Sequence, residues 1–231
     1  MGKGAIPKQF HPLKGRAVIE YPISTFNDHP AIDEVAVVVH PDWRSEMEAI
    51  VSRNRWNKLT KVIDGGSERC MSTLNALGAY LHYPDDTNVL LHDAARPLLS
   101  AAVVDRVLAA LQTHEAVGVA LPSTDTVWEV RIDMGVESGE WGVESELPRF
   151  VARIPERRLM WRAQTPQAFR LPLICDAYQK ALQDPQFAAT DDCGVVMHYL
   201  PGVKIHVVEG EEQNFKITVG GDIERAAALM E

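Results

Sequence analysis

The chain has 231 residues, 46% of them hydrophobic and 24% charged, so it is long enough to bury the core of one large α/β domain or two small ones. Its formal net charge of −9 excludes a general nucleic-acid or anionic-membrane binder, because no basic excess is available to neutralise phosphates broadly. Three cysteines without a metal-binding spacing favour a reducing cytoplasm, and no apolar run is long enough to span a bilayer.

Short apolar runs along the chain predict buried β-strands. They are rich in β-branched residues and lie at Glu34–His40, Asn88–His92, Val117–Leu121 and Lys204–Val208. Continuous apolar strands are typical of a sheet that is buried on both faces, and such sheets are mostly parallel.

Helical patterns alternate with these runs. Apolar residues repeat at helical spacing over Val103–Leu111 and over Leu173–Leu182, and Asp222 is expected to cap a last helix. Strands that alternate with helices predict βαβ units, and we expect one three-layer α/β domain over residues 1–231.

One segment, residues 127–157, interrupts this alternation. It begins with partial polar–apolar alternation and ends with a second β-like run at Phe150–Ile154, so a long hairpin arm fits it better than a helix. Trp128 and Trp141 favour a partner-binding surface, whereas the alternative is an insertion without a role. The Gly- and Glu-rich middle, residues 133–149, has no role that the sequence indicates.

Chemically useful residues follow the predicted strands, where ligands bind in an open α/β sheet. Asp93 either binds a substrate hydroxyl or a metal ion, or it pairs with Arg96. Gly65-Gly66 either forms a turn or lets a ligand approach the backbone closely. Ser72 is expected to cap the helix that follows. Gln164–Gln167 is rich in hydrogen-bonding groups around a proline, and its simplest interpretation is a rigid turn.

Basic residues are available for an anionic ligand at Lys8, Arg69, Arg96, Arg157 and Lys216. Lysine and arginine with little acid–base machinery favour phosphoryl or nucleotidyl transfer, in which positioning and charge stabilisation provide most of the catalysis. The sequence contains no nucleophile elbow, HExxH helix, GxGxxG pattern or full Walker motif that would favour another chemistry.

Six short motifs occur in one order along nearly the whole chain: PKQF, GGSER, HDAARPL, QTPQAF, TDD and NFKIT. This order resembles the CTP-dependent 2-C-methyl-D-erythritol 4-phosphate cytidylyltransferase family of the non-mevalonate isoprenoid pathway. The resemblance implies a three-layer Rossmann-like nucleotidyltransferase domain with a mostly parallel sheet and a projecting β-arm that joins a homodimer. It also implies transfer of a cytidylyl group from CTP to a polyol phosphate, with release of pyrophosphate.

The family's functional positions carry over where the motifs match. Lys8 and Lys216 resemble the two lysines that stabilise the triphosphate and the transition state. The residues implied to hold the nucleotide are Gly2, Gly66, Ser72 and Ala94, together with both lysines. The residues implied to contact the polyol phosphate are Asp93, Arg96, Thr190 and, from the arm of the neighbouring subunit, Thr126 and Arg157. Mg²⁺ is implied to bind through the CTP phosphates, without a metal site made of side chains.

Two alternatives remain open. Phe10 after PKQ and the Pro41-Asp42-Trp43 segment resemble the sister family that uses ribitol 5-phosphate. The other alternative is a non-catalytic nucleotide-binding relative, because Met1-Gly2 match the last two residues of the family's glycine-rich loop. We therefore expect the chain as given to lack the first strand and most of that loop, and upstream codons to encode them.

Overall fold

The computed structural model describes residues 6–66, 68–132, 148–184 and 190–230. The helices in these ranges are α1 (Glu20–Asp28), α2 (Arg44–Arg53), α3 (Arg69–Gly78), α4 (Ala101–Ala110), α5 (Leu171–Ala181), α6 (Asp192–Tyr199) and α7 (Gly221–Ala228). The strands are β1 (Pro12–Leu13), β2 (Arg16–Ala17), β3 (Val35–Val39), β4 (Leu59–Asp64), β5 (Asn88–Leu91), β6 (Ala116–Pro122), β7 (Glu129–Ile132), β8 (Arg149–Arg153), β9 (Trp161–Arg170) and β10 (His206–Glu209). None of the helices in the described ranges has the length and apolar character needed to cross a bilayer.

β6 lies inside a four-stranded sheet with the strand order β10–β6–β9–β5. β10 is parallel to β6, whereas β9 runs antiparallel to both β6 and β5. Six of the seven β6 residues are buried, as expected for a continuous apolar run. β3 and β4 form a separate parallel pair. The α/β class is therefore confirmed, with a mixed central sheet in which β9 is the antiparallel strand.

The pleat of the central sheet separates two hydrophobic clusters. Val117 and Ala168 pack in one cluster with side chains of α4, whereas Ala116 and Phe169 pack in the other with side chains of α5 and α6. Successive residues of a strand point to opposite faces, so helices cover the sheet on both sides. This arrangement is the predicted three-layer architecture.

The N-terminal part of the chain packs around the β3–β4 pair. Met47 and Ile50 of α2 are fully buried there, and Ala94 from the loop after β5 packs against the same cluster. The buried carboxylate of Glu20 accepts a hydrogen bond from Asn54 Nδ2 at 2.7 Å, which joins the start of α1 to the end of α2. The loop after β5 is thereby placed next to the N-terminal segment.

The segment Gln164–Gln167 lies within β9, so the prediction of a rigid turn is wrong. These residues are buried in the centre of the sheet, where the register between β9 and β6 shifts between Gly118 and Val119. The peptide bond between Thr165 and Pro166 is cis. The polar composition that is typical of a turn instead serves side-chain hydrogen bonds to the loops around the sheet.

Two predicted helix caps are also wrong. Asp222 lies inside the first turn of α7, and its carboxylate accepts hydrogen bonds from the backbone N–H groups of Thr218 at 2.7 Å and Val219 at 2.9 Å. Ser72 lies one turn inside α3, and its hydroxyl donates to the carbonyl of Glu68 at 3.2 Å. Both side chains stabilise the loop that precedes their helix.

The arm consists of β7 and β8, which pair in an antiparallel hairpin. Large apolar side chains on it are exposed, among them Trp128 (59%), Phe150 (49%) and Val151 (49%). Trp141 and most of the Gly- and Glu-rich middle lie outside the described residues. Within the single chain, therefore, much of the arm's apolar surface faces solvent.

Candidate active site

The loop after β5 places one carboxylate between two cations. Asp93 Oδ2 lies 3.2 Å from Arg96 Nε and 3.2 Å from Lys216 Nζ. Burial raises the pKa of Asp93, but the charges of Lys216 and Arg96 outweigh burial and hold the pKa below its usual value. Asp93 is therefore ionised at neutral pH, and its predicted pairing with Arg96 is confirmed.

The loop after β10 brings Lys216 to this carboxylate. The backbone N–H of Ile217 donates to the carbonyl of Ala95 at 2.8 Å, and Arg96 Nη1 donates to the carbonyl of Asn214 at 2.8 Å. Because β5, β6 and β10 run in the same direction, their carboxyl ends lie along one edge of the sheet. The loops after β5 and β10 thus converge at that edge, as the sequence predicted.

Lys8 reaches the same loop from the N-terminal side. Its Nζ donates to the carbonyl of Thr218, two residues beyond Lys216. The backbone N–H and the hydroxyl of Thr218 in turn donate to Asp222 at 2.7 and 3.0 Å, which fixes the position of that carbonyl. Lys8 therefore binds the short segment that carries Lys216.

His92 links the Asp93 loop to β9. The backbone N–H of Asp93 donates to Thr165 Oγ1 at 3.0 Å, and this oxygen lies 3.0 Å from His92 Nδ1. His92 Nε2 lies 3.3 Å from the carbonyl of Arg96, which can only accept, so Nε2 carries the proton and Nδ1 accepts from the hydroxyl. Burial lowers the pKa of His92 to about 4, and the ring is neutral at physiological pH.

The glycine loop after β4 approaches α3 closely. The backbone N–H of Gly66 donates to Ser72 Oγ at 3.1 Å. A Cβ added to Gly66 would lie 2.2 Å from Met71 Cβ, so the loop requires glycine at this position. Ser72 thus fixes the backbone at Gly66. The family resemblance implies that Gly66 and Ser72 both hold the nucleotide.

Thr190 precedes a segment that is held by buried side chains. Gln167 Oε1 accepts hydrogen bonds from the backbone N–H groups of Asp192 and Cys193, both at 2.9 Å. Arg69 Nη1 donates to the carbonyl of Thr190 at 3.1 Å, and the Thr190 side chain is exposed. The Thr190 hydroxyl is therefore accessible, as a substrate-binding role requires.

Three predicted positions are not joined to this arrangement. Thr126 and Arg157 are exposed at the base of the arm, and Arg157 Nη1 donates to the nearby carbonyl of Thr124 at 3.4 Å. Gly2 lies outside the described residues. The structure thus joins Asp93, Arg96 and Lys216 through direct contacts and holds Lys8 against the Lys216 segment through the carbonyl of Thr218. The arm residues take no part in these contacts.

The sequence analysis missed the supporting roles of three buried residues, Gln167, Asp192 and Asn214. Asn214 Nδ2 donates to the carbonyl of Thr165 at 2.8 Å, and Asp192 Oδ1 accepts from Tyr178 Oη at 2.5 Å. An amide directly before apolar residues, as Gln167 stands before Ala168 and Phe169, is the signal that could have revealed this network. Buried polar groups of this kind need partners, which the loops supply.

No group of three or more His, Cys, Asp and Glu side chains within the described ranges could hold a metal ion. The carboxylate nearest to the cluster of cations, Asp93, already uses Oδ2 to bind Arg96 and Lys216. The donor set of this edge therefore suits an anionic ligand better than a bare divalent cation.

Comparisons with known proteins agree with this geometry. A family model described as 2-C-methyl-D-erythritol 4-phosphate cytidylyltransferase matches residues 1–231. An enzyme of that name from Thermobifida fusca is 41% identical over 226 residues, covering 98% of this chain and 86% of the relative. A bifunctional ribulose 5-phosphate reductase/CDP-ribitol pyrophosphorylase from Haemophilus influenzae is 34% identical, covering 94% of this chain and 43% of the relative. The crystal structure of 4-diphosphocytidyl-2C-methyl-D-erythritol synthase from Anaerococcus prevotii superposes with a TM-score of 0.81 at 30% identity, covering 96% of this chain and 92% of that one.

The low pKa of His92 predicts a specific dependence of stability on pH. The unfolded chain binds a proton at His92 near pH 6.5, whereas the folded chain does so only near pH 4. The contribution of the neutral ring to stability is therefore present above pH 6.5 and is lost as the pH falls toward 4. This contribution amounts to about 3 kcal/mol.

Denaturant unfolding at pH 7 and pH 4.5 measures this contribution. The free-energy difference between the wild type and His92→Asn should shrink by roughly 2 to 3 kcal/mol at the lower pH. His40→Asn is a suitable control because His40 is exposed on the surface. A difference between wild type and His92→Asn that is equal at both pH values would contradict the assignment of a neutral, buried ring.

Proposed function

Because the chain belongs to the 2-C-methyl-D-erythritol 4-phosphate cytidylyltransferase family, we propose that it transfers the cytidylyl group of CTP to 2-C-methyl-D-erythritol 4-phosphate. The products are CDP-methylerythritol and pyrophosphate. The observation that supports the proposal most directly is that Lys216 and Arg96 both bind Asp93, while Lys8 binds the carbonyl of Thr218 in the segment that carries Lys216. A ligand rich in phosphate groups suits such a cluster of cations.

The reaction requires positioning and charge stabilisation more than proton transfer. A phosphate oxygen of the polyol phosphate attacks the α-phosphorus of CTP and forms a new P–O bond. The bond from the α-phosphorus to the bridging oxygen breaks, and its electron pair leaves with pyrophosphate. The nucleophile is already an anion, so no strong general base is needed. Lys8 and Lys216 would stabilise the negative charge on the phosphates as the transition state forms.

Each predicted site residue has a place in this proposal. The nucleotide would lie against the Gly66–Ser72 segment and Ala94, with Gly2 contributing from the N-terminal side. The polyol phosphate would lie near Asp93, Arg96 and Thr190. Arg69 connects the two segments, because it follows the glycine loop after β4 and donates to the carbonyl of Thr190.

Mg²⁺ fits this site when it is held by the phosphates of CTP. Asp93 Oδ2 is engaged by two cations, and no cage of side chains is present within the described residues, so the phosphates would supply most ligands. When bound, the ion supplies further neutralisation of phosphate charge. We also propose a cytoplasmic location, which the three free cysteines support.

The arm would join two copies of this single-domain chain into a homodimer. The exposed apolar side chains of Val130 and Val151, which are cross-strand partners in the hairpin, form a surface that the isolated chain does not cover. A second copy could bury it and bring Thr126 and Arg157 of one subunit to the substrate phosphate in the other. This arrangement would explain why the two arm residues stay apart from Asp93 within one chain.

The first prediction of the proposed function concerns activity itself. Purified protein with CTP, Mg²⁺ and 2-C-methyl-D-erythritol 4-phosphate should release pyrophosphate, and chelation of Mg²⁺ should abolish the release. Ribitol 5-phosphate, assayed in parallel, tests the alternative that the Haemophilus influenzae relative keeps open. Tight CTP binding by calorimetry without turnover on either substrate would support the non-catalytic alternative instead.

The second prediction concerns the two lysines. Lys8→Ala and Lys216→Ala should each lower kcat by roughly 100-fold or more, because each removes a positive charge from the transition state. Lys180→Ala is the matched control, since Lys180 is exposed on α5 and pairs with Asp176. Denaturant unfolding curves that match the wild type should first establish that both variants fold. Retention of wild-type kcat by both site variants would refute the proposed roles.

The third prediction concerns the arm. Wild-type protein at micromolar concentration should sediment as a dimer, and Val151→Glu should sediment as a monomer because it places a charge in the apolar surface. Met197→Glu is the control, because Met197 is 66% exposed on α6, outside the arm. A monomeric wild type would exclude assembly through the arm.

A further inference from the structure

We propose that Arg69 is an additional phosphate-binding residue of the polyol-phosphate site, and that the buried carboxylate of Asp192 orients it. This inference rests on the proposed function. It assigns to Arg69 a direct contact with phosphate oxygens of the substrate. The alternative role is purely structural, in which Arg69 only neutralises Asp192.

The first argument is the position of the guanidinium. Arg69 is the first residue of α3, directly after the glycine loop. Its Nη1 donates to the carbonyl of Thr190 at 3.1 Å, and its Nη2 donates to Asp192 Oδ2 at 2.8 Å. Arg69 thus bridges the segment implied to hold the nucleotide and the segment implied to hold the polyol phosphate.

The second argument is the contrast in burial between the two charges. The side chain of Asp192 is 2% exposed, whereas that of Arg69 is 42% exposed. Asp192 is also fixed by Tyr178 Oη at 2.5 Å and by Thr73 Oγ1 at 3.3 Å, so the carboxylate cannot follow the guanidinium outward. In this ion pair, the guanidinium of Arg69 is therefore the group that solvent or a ligand can reach.

The third argument is electrostatic. Burial lowers the pKa of Arg69, but the carboxylates of Asp192 and Asp93 together raise it above its usual value. In the opposite direction, the charge of Arg69 contributes to the lowered pKa of Asp93, after Lys216 and Arg96. The guanidinium therefore lies close enough to the Asp93 cluster for the two charges to interact, and it adds a further cation to that cluster.

The chemistry of the guanidinium suits the ligand. Arginine carries five N–H donors in a planar fork that matches two oxygens of a phosphate, and burial of its partner carboxylate pre-orients the fork. The hydrogen bonds to Thr190 and Asp192 use only part of that donor set. Phosphate oxygens of the substrate would take the remaining donors.

A double variant separates the two roles. Arg69→Met alone leaves the Asp192 carboxylate buried without its cation, which harms folding whichever role is correct. Arg69→Met combined with Asp192→Asn removes both charges, while Asn can still accept from Tyr178. The measurements are KM for the polyol phosphate, KM for CTP, and kcat, with Asp192→Asn alone and Arg44→Met as controls. Arg44 is a suitable control because it pairs with Glu48 and Asp64 on the surface.

We expect the double variant to raise KM for the polyol phosphate at least tenfold above that of Asp192→Asn, with KM for CTP changed less than threefold. Arg69→Lys should retain the charge but lose the fork, and it should give an intermediate KM. A double variant whose KM for the polyol phosphate lies within twofold of the Asp192→Asn value would overturn the proposal and leave Arg69 a structural role. An inactive wild type would instead refute the proposed function, so the two failures are distinguishable.

Discussion

The candidate site depends on the hydrogen bonds of polar side chains that one buried strand carries. Within β9, Gln164 Nε2 donates to the carbonyl of Glu211 at 2.9 Å, Thr165 Oγ1 accepts from the backbone of Asp93, and Gln167 accepts from the start of α6. An unpaired buried donor or acceptor costs about 1 to 3 kcal/mol, so each loop is held where its partner lies. Three loops from distant parts of the sequence are therefore positioned by one strand.

The direction of β9 makes this possible. It runs antiparallel between β6 and β5, and Gln167 pairs in register with Leu91 on one side and with Gly118 on the other. The polar part of β9 thus lies beside the residue that precedes His92. A parallel strand in the same place would bring its carboxyl end, rather than its middle, to that edge of the sheet. The mixed character of the sheet consequently serves the site directly.

The parts of this structure that local patterns encode could be predicted from the sequence. The β6 run is continuous and apolar because it is buried on both faces, and the loops after β5 and β10 converge because parallel strands share an edge. Gln164–Gln167 was misassigned because proline and amides are typical of turns, and only tertiary partners explain them inside a strand. The contact between Lys216 and Asp93 joins residues from distant loops, and spacing along the sequence carries no information about it.

The same contact explains how an acidic chain can present a cationic site. The net charge of −9 is a sum over the whole chain. Screening at physiological ionic strength limits the range over which exposed charges interact to about 8 Å. Within that range the edge of the sheet gathers Arg96 and Lys216 around Asp93, and Lys8 binds the loop that carries Lys216. Without a carboxylate, two cations so close together would repel each other and disfavour the folded loops. Asp93 therefore lowers the cost of assembling the cations before an anion arrives, and its single charge leaves a positive excess for that anion to neutralise.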